Sequence, residues 1–213
     1  MRLAFFVSGG GSNMQAILDA IAAGALDATP AVVVTDRPGI GALDRAERQG
    51  LPTAVVRPQD YRPREDGTTP NGTFGDALLE VLRGYRVDTV ALAGYLRHIP
   101  APVVRAFRHR MLNVHPSLLP AFGGPGMYGQ RVHRAVLDHG AKWTGATVHY
   151  VDEDYDTGPI ILQEPVPVES GDTAKTLAAR VLATEHRLFP EALRLVAGDR
   201  LRIDGRRVHA IDR

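Results

Sequence analysis

Short apolar runs alternate along this chain with segments whose apolar residues recur at helical spacing. The apolar runs end at glycine, proline or polar residues, which is typical of strands buried in a parallel sheet. They predict strands over residues 3–7, 31–35, 53–56, 87–93 and 111–115, then an alternating pair over 144–151 and 160–168. Helical spacing predicts helices over 14–23, 40–49, 74–82, 131–139 and 173–196. This order predicts an α/β fold with a mostly parallel central sheet, flanking helices and a C-terminal antiparallel strand pair.

The segments between these elements are rich in glycine and proline. Residues 57–73 and 121–130 are predicted to be long loops, and 201–210 a terminal hairpin. With 213 residues, of which 44% are hydrophobic, the chain is long enough for one well-buried domain. We therefore expect a single domain.

Charge and composition exclude several classes of function. A formal net charge of +1 gives no broad attraction to nucleic acid or to an anionic membrane. The absence of cysteine excludes disulfides and thiolate metal sites, and it fits a reducing compartment. The first apolar run is too short for a secretory signal, and no run approaches the length of a membrane span. We expect a soluble, cytoplasmic protein.

A glycine-rich turn, SGGGSN, joins the first strand to the first helix at residues 8–13. Bare backbone N–H groups at a helix N-terminus can bind a phosphate. A dinucleotide fingerprint would need a third glycine at Met14, and no Walker lysine follows. A mononucleotide phosphate therefore fits better than NAD, although the glycines could simply make a tight turn.

The segment MLNVHPSLLP, 111–120, carries the strongest catalytic signal. Asn113 and His115 lie two positions apart on a strand, so their side chains share one face. Pro116 ends that strand, which places His115 at its C-terminal end, where open α/β sheets bind ligands. An amide and an imidazole suit acyl chemistry, as oxyanion donor and proton carrier. The alternative is a structural histidine.

Two loops are predicted to lie near this pair. Residues 95–100 follow a buried strand and either line a pocket for a flat ring or pack in the core. The acidic loop DEDYDTGP, 152–159, has four acidic residues in five positions. It lacks the calcium-loop pattern, so we expect no metal, and its tight turn indicates that Asp156 points at a defined target.

Six segments in this order, SGGGSN, LAGYLRHI, MLNVHPSLLP, ATVHYV, DEDYDTGPIILQ and ATEHRLFP, resemble the folate-dependent formyltransferases. Within that family, the chain is similar to the members that formylate glycinamide ribonucleotide in purine biosynthesis. Relatives that act on methionyl-tRNA or hydrolyse formyltetrahydrofolate carry an additional domain. The resemblance implies a single Rossmann-like formyltransferase domain over 1–213, with a phosphate-binding half (1–100), a catalytic and folate-binding half (101–200) and a tail (201–213).

The resemblance also implies the reaction. The formyl donor would be 10-formyltetrahydrofolate, as a cosubstrate, and the acceptor the amine of glycinamide ribonucleotide, with no metal. Asn113 would donate to the oxyanion, protonated His115 would stabilise it and move protons, and Asp156 would support the histidinium. A nearby carboxylate would raise the pKa of that histidine above its usual value of about 6.5. The expected assembly is a monomer or a homodimer.

Two sets of binding residues follow from the same resemblance. Those expected to bind the ribonucleotide are Gly11, Ser12, Asn13 and Glu185. Those expected to bind the folate are Arg64, Leu96, Arg97, His98, Ile99, Asn113, Asp152, Glu153, Asp154, Tyr155 and Asp156. Residues 66–73 look like an insertion and 122–130 is longer than in some relatives, while His133, His139 and His149 are interpreted as structural.

Three alternatives stay open at this point. The chain could be a nucleotide-binding module without catalysis, on the strength of the glycine loop alone. It could be an NAD-type oxidoreductase, which the residue at the third glycine position disfavours. It could also be a formyltransferase that acts on another amine, such as an amino sugar nucleotide.

Overall fold

A computed structural model describes residues 1–62 and 72–211 of the chain. In that part, nine strands form one sheet in the order β3-β2-β1-β4-β5-β6-β7-β9-β8. The strands are β1 (Arg2–Val7), β2 (Thr29–Thr35), β3 (Thr53–Val55), β4 (Thr89–Leu92), β5 (Met111–His115), β6 (Trp143–Tyr150), β7 (Ile160–Pro167), β8 (Leu201–Asp204) and β9 (Arg207–Ala210). The first five are parallel to one another, while β5, β6 and β7 pair antiparallel and β8 with β9 forms the terminal hairpin.

Helices cover both faces of this sheet. They are α1 (Ser12–Ala22), α2 (Gly41–Arg48), α3 (Phe74–Gly84), α4 (Ala101–Ala106), α5 (Gln130–Asp138) and α6 (Ala174–Ala197). One core cluster packs β-strand residues against α1, α2, α5 and α6, and the other packs them against α3 and α4. The neighbouring residues Phe5 and Phe6 of β1 are fully buried in opposite clusters, because successive strand side chains point to opposite faces.

The predicted α/β class and its mostly parallel sheet are confirmed. Three local features differ from the sequence prediction. Helix α1 begins at Ser12, two residues early, because Gly11 adopts a left-handed conformation (φ 73°) that starts the helix there. Helix α4 was not predicted, since six residues are too few to show helical periodicity. A short 3-10 helix, Pro58–Tyr61, lies within the segment predicted to be a loop.

The topology brings the predicted site together at the C-terminal edge of the parallel strands. Strands β1, β4 and β5 are neighbours, so the loops that follow them meet above the sheet. The antiparallel strand β6 places His149 directly opposite Asn113 and Thr147 opposite His115. No helix among the described residues is long and apolar enough to cross a membrane.

Candidate active site

A cavity of about 410 Å³ opens at this edge of the sheet, within the size range of small-molecule sites. Its wall combines the end of β5, the loop after β4, the glycine-rich loop before α5, the acidic loop and one face of α6. The predicted residues in its wall are Asn13, Leu96, Arg97, His98, Ile99, Asn113, His115, Asp152, Asp154, Tyr155, Asp156 and Glu185. The fold therefore gathers residues from most of the chain around one space.

His115 is buried and held at both ring nitrogens. Its Nε2 lies 2.9 Å from the carbonyl oxygen of Phe122, so this nitrogen carries a proton and donates it. Its Nδ1 faces the Oδ2 of Asp156 at 3.5 Å. Burial lowers the pKa of His115, against the charge of Asp156 and the Phe122 carbonyl, which raise it. The expectation that the carboxylate sets a raised pKa is thus wrong for the net shift, since burial outweighs it.

The backbone conformation of Asp156 orients its side chain, and neighbouring groups keep its carboxylate ionised. The residue sits in the left-handed region (φ 57°), and Oδ2 accepts a hydrogen bond from the backbone N–H of Gly124 at 2.9 Å. Burial disfavours its charge, but the charge of His115 and the Gly124 N–H lower its pKa. A buried carboxylate that stays charged can balance a histidinium beside it.

His149, which the sequence analysis assigns to a structural role, lies in the cavity wall. Its Nδ1 donates to the carbonyl oxygen of Tyr150 at 2.8 Å, which leaves Nε2 as the acceptor. The Nδ2 of Asn113 donates to that Nε2 at 3.1 Å. An amide has two N–H groups, so one N–H of Asn113 fixes the side chain, and the other, which bonds to no described residue, can donate to a ligand.

The glycine-rich loop after β5 supplies backbone groups to the site. Phe122 provides the carbonyl for His115, and Gly124 provides the N–H for Asp156. Thr147 holds the base of this loop, because its Oγ1 donates to Ser117 O at 2.6 Å and accepts from Leu119 N at 3.0 Å. This loop therefore orients the side chains of His115 and Asp156, although the sequence identifies it only as irregular.

The ribonucleotide candidates lie at the N-terminus of α1 and on α6. No described side chain caps α1, so its first N–H groups are available to an anion. Gly11 and Ser12 flank the cavity without lining it, whereas the amide of Asn13 donates to Oε2 of Glu185 at 2.6 Å inside the wall. Burial raises the pKa of Glu185 to about 7, although the Asn13 bond lowers it.

The folate candidates in the loop after β4 form one wall of the cavity. Arg97 donates through Nε to Oδ2 of the buried Asp36 at 2.9 Å. His98 lies 2.9 Å from the carbonyl oxygen of Glu153, and its ring packs on that of Tyr155. The side chain of Glu153 turns away to pair with Arg105 and does not line the cavity.

The carboxylates of the acidic loop contact different partners and do not form one cluster. Asp152 accepts from Thr157, Glu153 pairs with Arg105, and Asp156 faces the histidines. Within the described residues no cluster of three or more metal-ligating side chains is present.

Two histidines interpreted as structural, His133 and His139, and the predicted folate residue Arg64 differ in where they lie relative to the cavity. His133 is buried in the cavity wall with Nδ1 unpartnered among the described residues, and burial with the nearby charge of His115 lowers its pKa to about 4. His139 is exposed and hydrogen-bonds within its own helix turn, as a structural residue would. Arg64 and most of the 66–73 insertion lie outside the described residues.

Comparisons with known proteins identify the family of this chain. The family model described as "Formyl transferase" matches residues 1–193. A curated relative from Arabidopsis thaliana, "Phosphoribosylglycinamide formyltransferase, chloroplastic", is 44% identical over 94% of this chain and 67% of its own length. The Bacillus subtilis "Phosphoribosylglycinamide formyltransferase" is 38% identical over 92% of this chain and 95% of its own length.

A solved structure gives the same answer for the fold. The glycinamide ribonucleotide transformylase 1 of Symbiobacterium toebii superposes with a TM-score of 0.90 at 46% identity, over 100% of this chain and 94% of that one. Some relatives are much longer than this chain. It spans 62% of the chloroplastic enzyme of Vigna unguiculata and 19% of the "Trifunctional purine biosynthetic protein adenosine-3" of Bos taurus.

Proposed function

Because the chain belongs to the formyl transferase family, we propose that it transfers the formyl group of 10-formyltetrahydrofolate to the amine of glycinamide ribonucleotide. The products are formylglycinamide ribonucleotide and tetrahydrofolate, in de novo purine biosynthesis. The observation that carries the proposal is the placement of Asn113, His115 and Asp156 around one cavity whose wall also holds Asn13 and Glu185. Relatives that bear the name of this activity support it.

The proposed reaction begins with attack of the acceptor amine on the formyl carbon. The new C–N bond forms, and the carbonyl oxygen gains negative charge in a tetrahedral intermediate. The free N–H of Asn113, oriented by His149, donates to that oxygen. A preorganised donor of this kind stabilises the transition state because it needs no reorientation as charge develops.

Collapse of the intermediate requires net proton transfer from the amine nitrogen to N10 of the folate. The amine nitrogen loses a proton, the bond from the formyl carbon to N10 breaks, and N10 takes up a proton as tetrahydrofolate leaves. His115 can accept the transferred proton only at Nδ1, since its Nε2 proton is committed to Phe122. Asp156 faces that position and stabilises the resulting imidazolium.

The two substrates are assigned to opposite ends of the cavity. The phosphate of the ribonucleotide binds the N-terminus of α1 at Gly11, Ser12 and Asn13, and Glu185 contacts its sugar. The folate lies along the loop after β4 and the acidic loop. Glu153, one of the residues expected to bind the folate, is assigned a supporting role outside the wall, since its carboxylate pairs with Arg105 and its carbonyl contacts His98.

Location and assembly are part of the same proposal. The absence of cysteine fits a reducing compartment, and we propose the cytoplasm. A single domain over 1–213, acting as a monomer or a homodimer, is the proposed functional unit. A different amine acceptor, such as an amino sugar nucleotide, is the alternative that the shared transfer chemistry leaves open.

A spectrophotometric assay of tetrahydrofolate release tests the proposal. The enzyme is incubated with 10-formyltetrahydrofolate, with and without glycinamide ribonucleotide. Release that requires the ribonucleotide is the expected result. Release without any amine would identify a hydrolase, and no release with this acceptor would overturn its assignment and lead to amino sugars.

A further inference from the structure

A buried carboxylate outside the reacting groups connects three loops of the site. Asp36 follows β2 and is 3% exposed, and its side chain is fully shielded from solvent. Its Oδ1 accepts from Oγ of Ser8 at 2.7 Å, and its Oδ2 accepts from both Arg37 and Arg97 at 2.9 Å. These hydrogen bonds outweigh the burial of Asp36 and lower its pKa, so the carboxylate is ionised.

Two partners of Asp36, Ser8 and Arg97, belong to different parts of the site. Ser8 opens the glycine loop, and its Oγ also accepts from the backbone N–H of Leu96 at 3.0 Å. Arg97 lies in the cavity wall and its side chain is half exposed. One carboxylate therefore fixes the backbone of Leu96 through Ser8 and the guanidinium of Arg97 directly.

The two guanidiniums on Asp36 are held unequally. Arg37 is the adjacent residue and contacts the carboxylate through Nε and Nη2. Arg97 lies 61 positions further along the chain and contacts it through Nε alone. If the carboxylate lost its charge, the two cations would repel each other, and Arg97, with its single contact, would be displaced first.

We propose that Asp36 is a positioning residue that sets the folate-side wall of the cavity by holding Arg97 and the backbone of Leu96. It is not a catalytic residue, because both carboxylate oxygens are occupied and the side chain is closed to the cavity. The inference rests on the proposed function in one respect, that the loop of Leu96 and Arg97 faces the folate. It adds a residue from the loop after β2, which the assignment of the site does not include.

The proposal predicts a selective loss of folate binding. Asp36→Asn keeps an acceptor for Ser8 but turns an N–H toward the guanidiniums. The expected result is a rise of about 10-fold or more in the KM for 10-formyltetrahydrofolate, with the KM for glycinamide ribonucleotide and kcat changed by less than about threefold. The Kd of tetrahydrofolate, measured by titration calorimetry, should rise by a similar factor.

A double-mutant cycle separates positioning from general destabilisation. Arg97→Ala should raise the folate KM as much as Asp36→Asn does, and the double variant should be no worse than Arg97→Ala by more than about threefold. Glu191→Gln is the matched control, because it removes the carboxylate from a two-point arginine pair with Arg194 on the exposed part of α6. If the increases in folate KM from the two substitutions multiply in the double variant, the inference is overturned. An unchanged folate KM in Asp36→Asn would also overturn it.

Two further outcomes keep the test decisive. If Asp36→Asn does not fold, Arg97→Ala still tests the proposal, since this arginine is half exposed, and an unchanged folate KM would overturn it. If the wild type binds tetrahydrofolate but does not formylate the ribonucleotide, the acceptor assignment fails while the inference is supported by weaker binding in Asp36→Asn. If the wild type binds no tetrahydrofolate, both fail.

Discussion

The Nδ1 of His115 lies 3.5 Å from the Oδ2 of Asp156, while the Nε2 of the same ring donates to the Phe122 carbonyl at 2.9 Å. A second proton on this imidazole must therefore bind on the side that faces the carboxylate. Burial lowers the pKa of His115 and the charge of Asp156 raises it, so the carboxylate decides how readily the ring is protonated. This pairing leads to the first prediction.

Asp156→Asn is expected to fold normally and to lower kcat by about 100- to 10,000-fold, because proton transfer loses its electrostatic partner. Asparagine tolerates the left-handed backbone of this position, and its carbonyl can still accept from Gly124. The pKa of His115, followed by NMR titration, should fall below its wild-type value. Asp138→Asn, at an exposed position outside the cavity at the end of α5, is the control, and a near-wild-type rate in Asp156→Asn would remove the proposed mechanism.

Asn113→Ala is expected to leave folding intact and to lower kcat by about 100- to 1,000-fold, the usual cost of one oxyanion donor. His149 cannot replace it, since this ring presents an acceptor nitrogen to the amide. Steady-state kinetics and thermal unfolding together test this. An unchanged kcat would show that the oxyanion is stabilised elsewhere.

His149 offers a test of how the amide of Asn113 is oriented. His149→Ala removes the acceptor for one N–H, and we expect kcat to fall by about 10- to 100-fold while both KM values change little. His209→Ala is the matched control, because this histidine is exposed on β9 and does not line the cavity. If the two substitutions have equal effects, the orienting role of His149 is wrong.

The fold could be predicted because burial on both faces of a parallel sheet leaves uninterrupted apolar runs in the sequence. The β1 run, with Phe5 and Phe6 in opposite cores, is an example. Helix α4 could not be predicted, because its two buried valines are too few to define a helical period. Asn113 and His115 were predictable for a similar physical reason, since alternation on a strand determines which side chains share a face.

The rest of the site depends on information that single residues do not carry. The Phe122 carbonyl and the Gly124 N–H are backbone groups, present at every position, so no residue type marks them. His149 was identifiable only as a neighbour of Thr147 on one strand face, because the register that places it opposite Asn113 is set by the pairing of β5 with β6. Sheet order likewise brings Asp36 to Arg97.

Gly11 is predicted to be required for two reasons. Its backbone is left-handed (φ +73°), and a Cβ there would lie 2.8 Å from the Cβ of Ala42. Gly11→Ala should therefore destabilise the protein by about 2–4 kcal/mol and raise the KM for the ribonucleotide. Gly24→Ala is the matched control, because it has nearly the same φ (+71°) with no atom within 4 Å. We expect it to cost about 1 kcal/mol in urea unfolding and to leave KM unchanged, so equal losses would exclude the steric contact.

Glu185 should make stability depend on pH in a direction opposite to that of most carboxylates. Burial raises its pKa from 4.5 to about 7, with the Asn13 amide opposing the shift. Between these values the folded state keeps the proton that the unfolded state has lost. The stabilising contribution is therefore complete below about pH 4.5 and is lost as pH rises through about 7.

Glu185→Gln removes this titration. Relative to wild type, the variant should gain up to about 3 kcal/mol in the free energy of unfolding between about pH 5 and pH 8, measured by urea denaturation. Glu80→Gln, at an exposed position of α3, should show no such gain. The free energies of unfolding of Glu185→Gln and wild type could instead differ by the same amount at both pH values. That result would mean that Glu185 ionises near its ordinary pKa. Its carboxylate would then be charged at neutral pH, and burial would not govern its protonation.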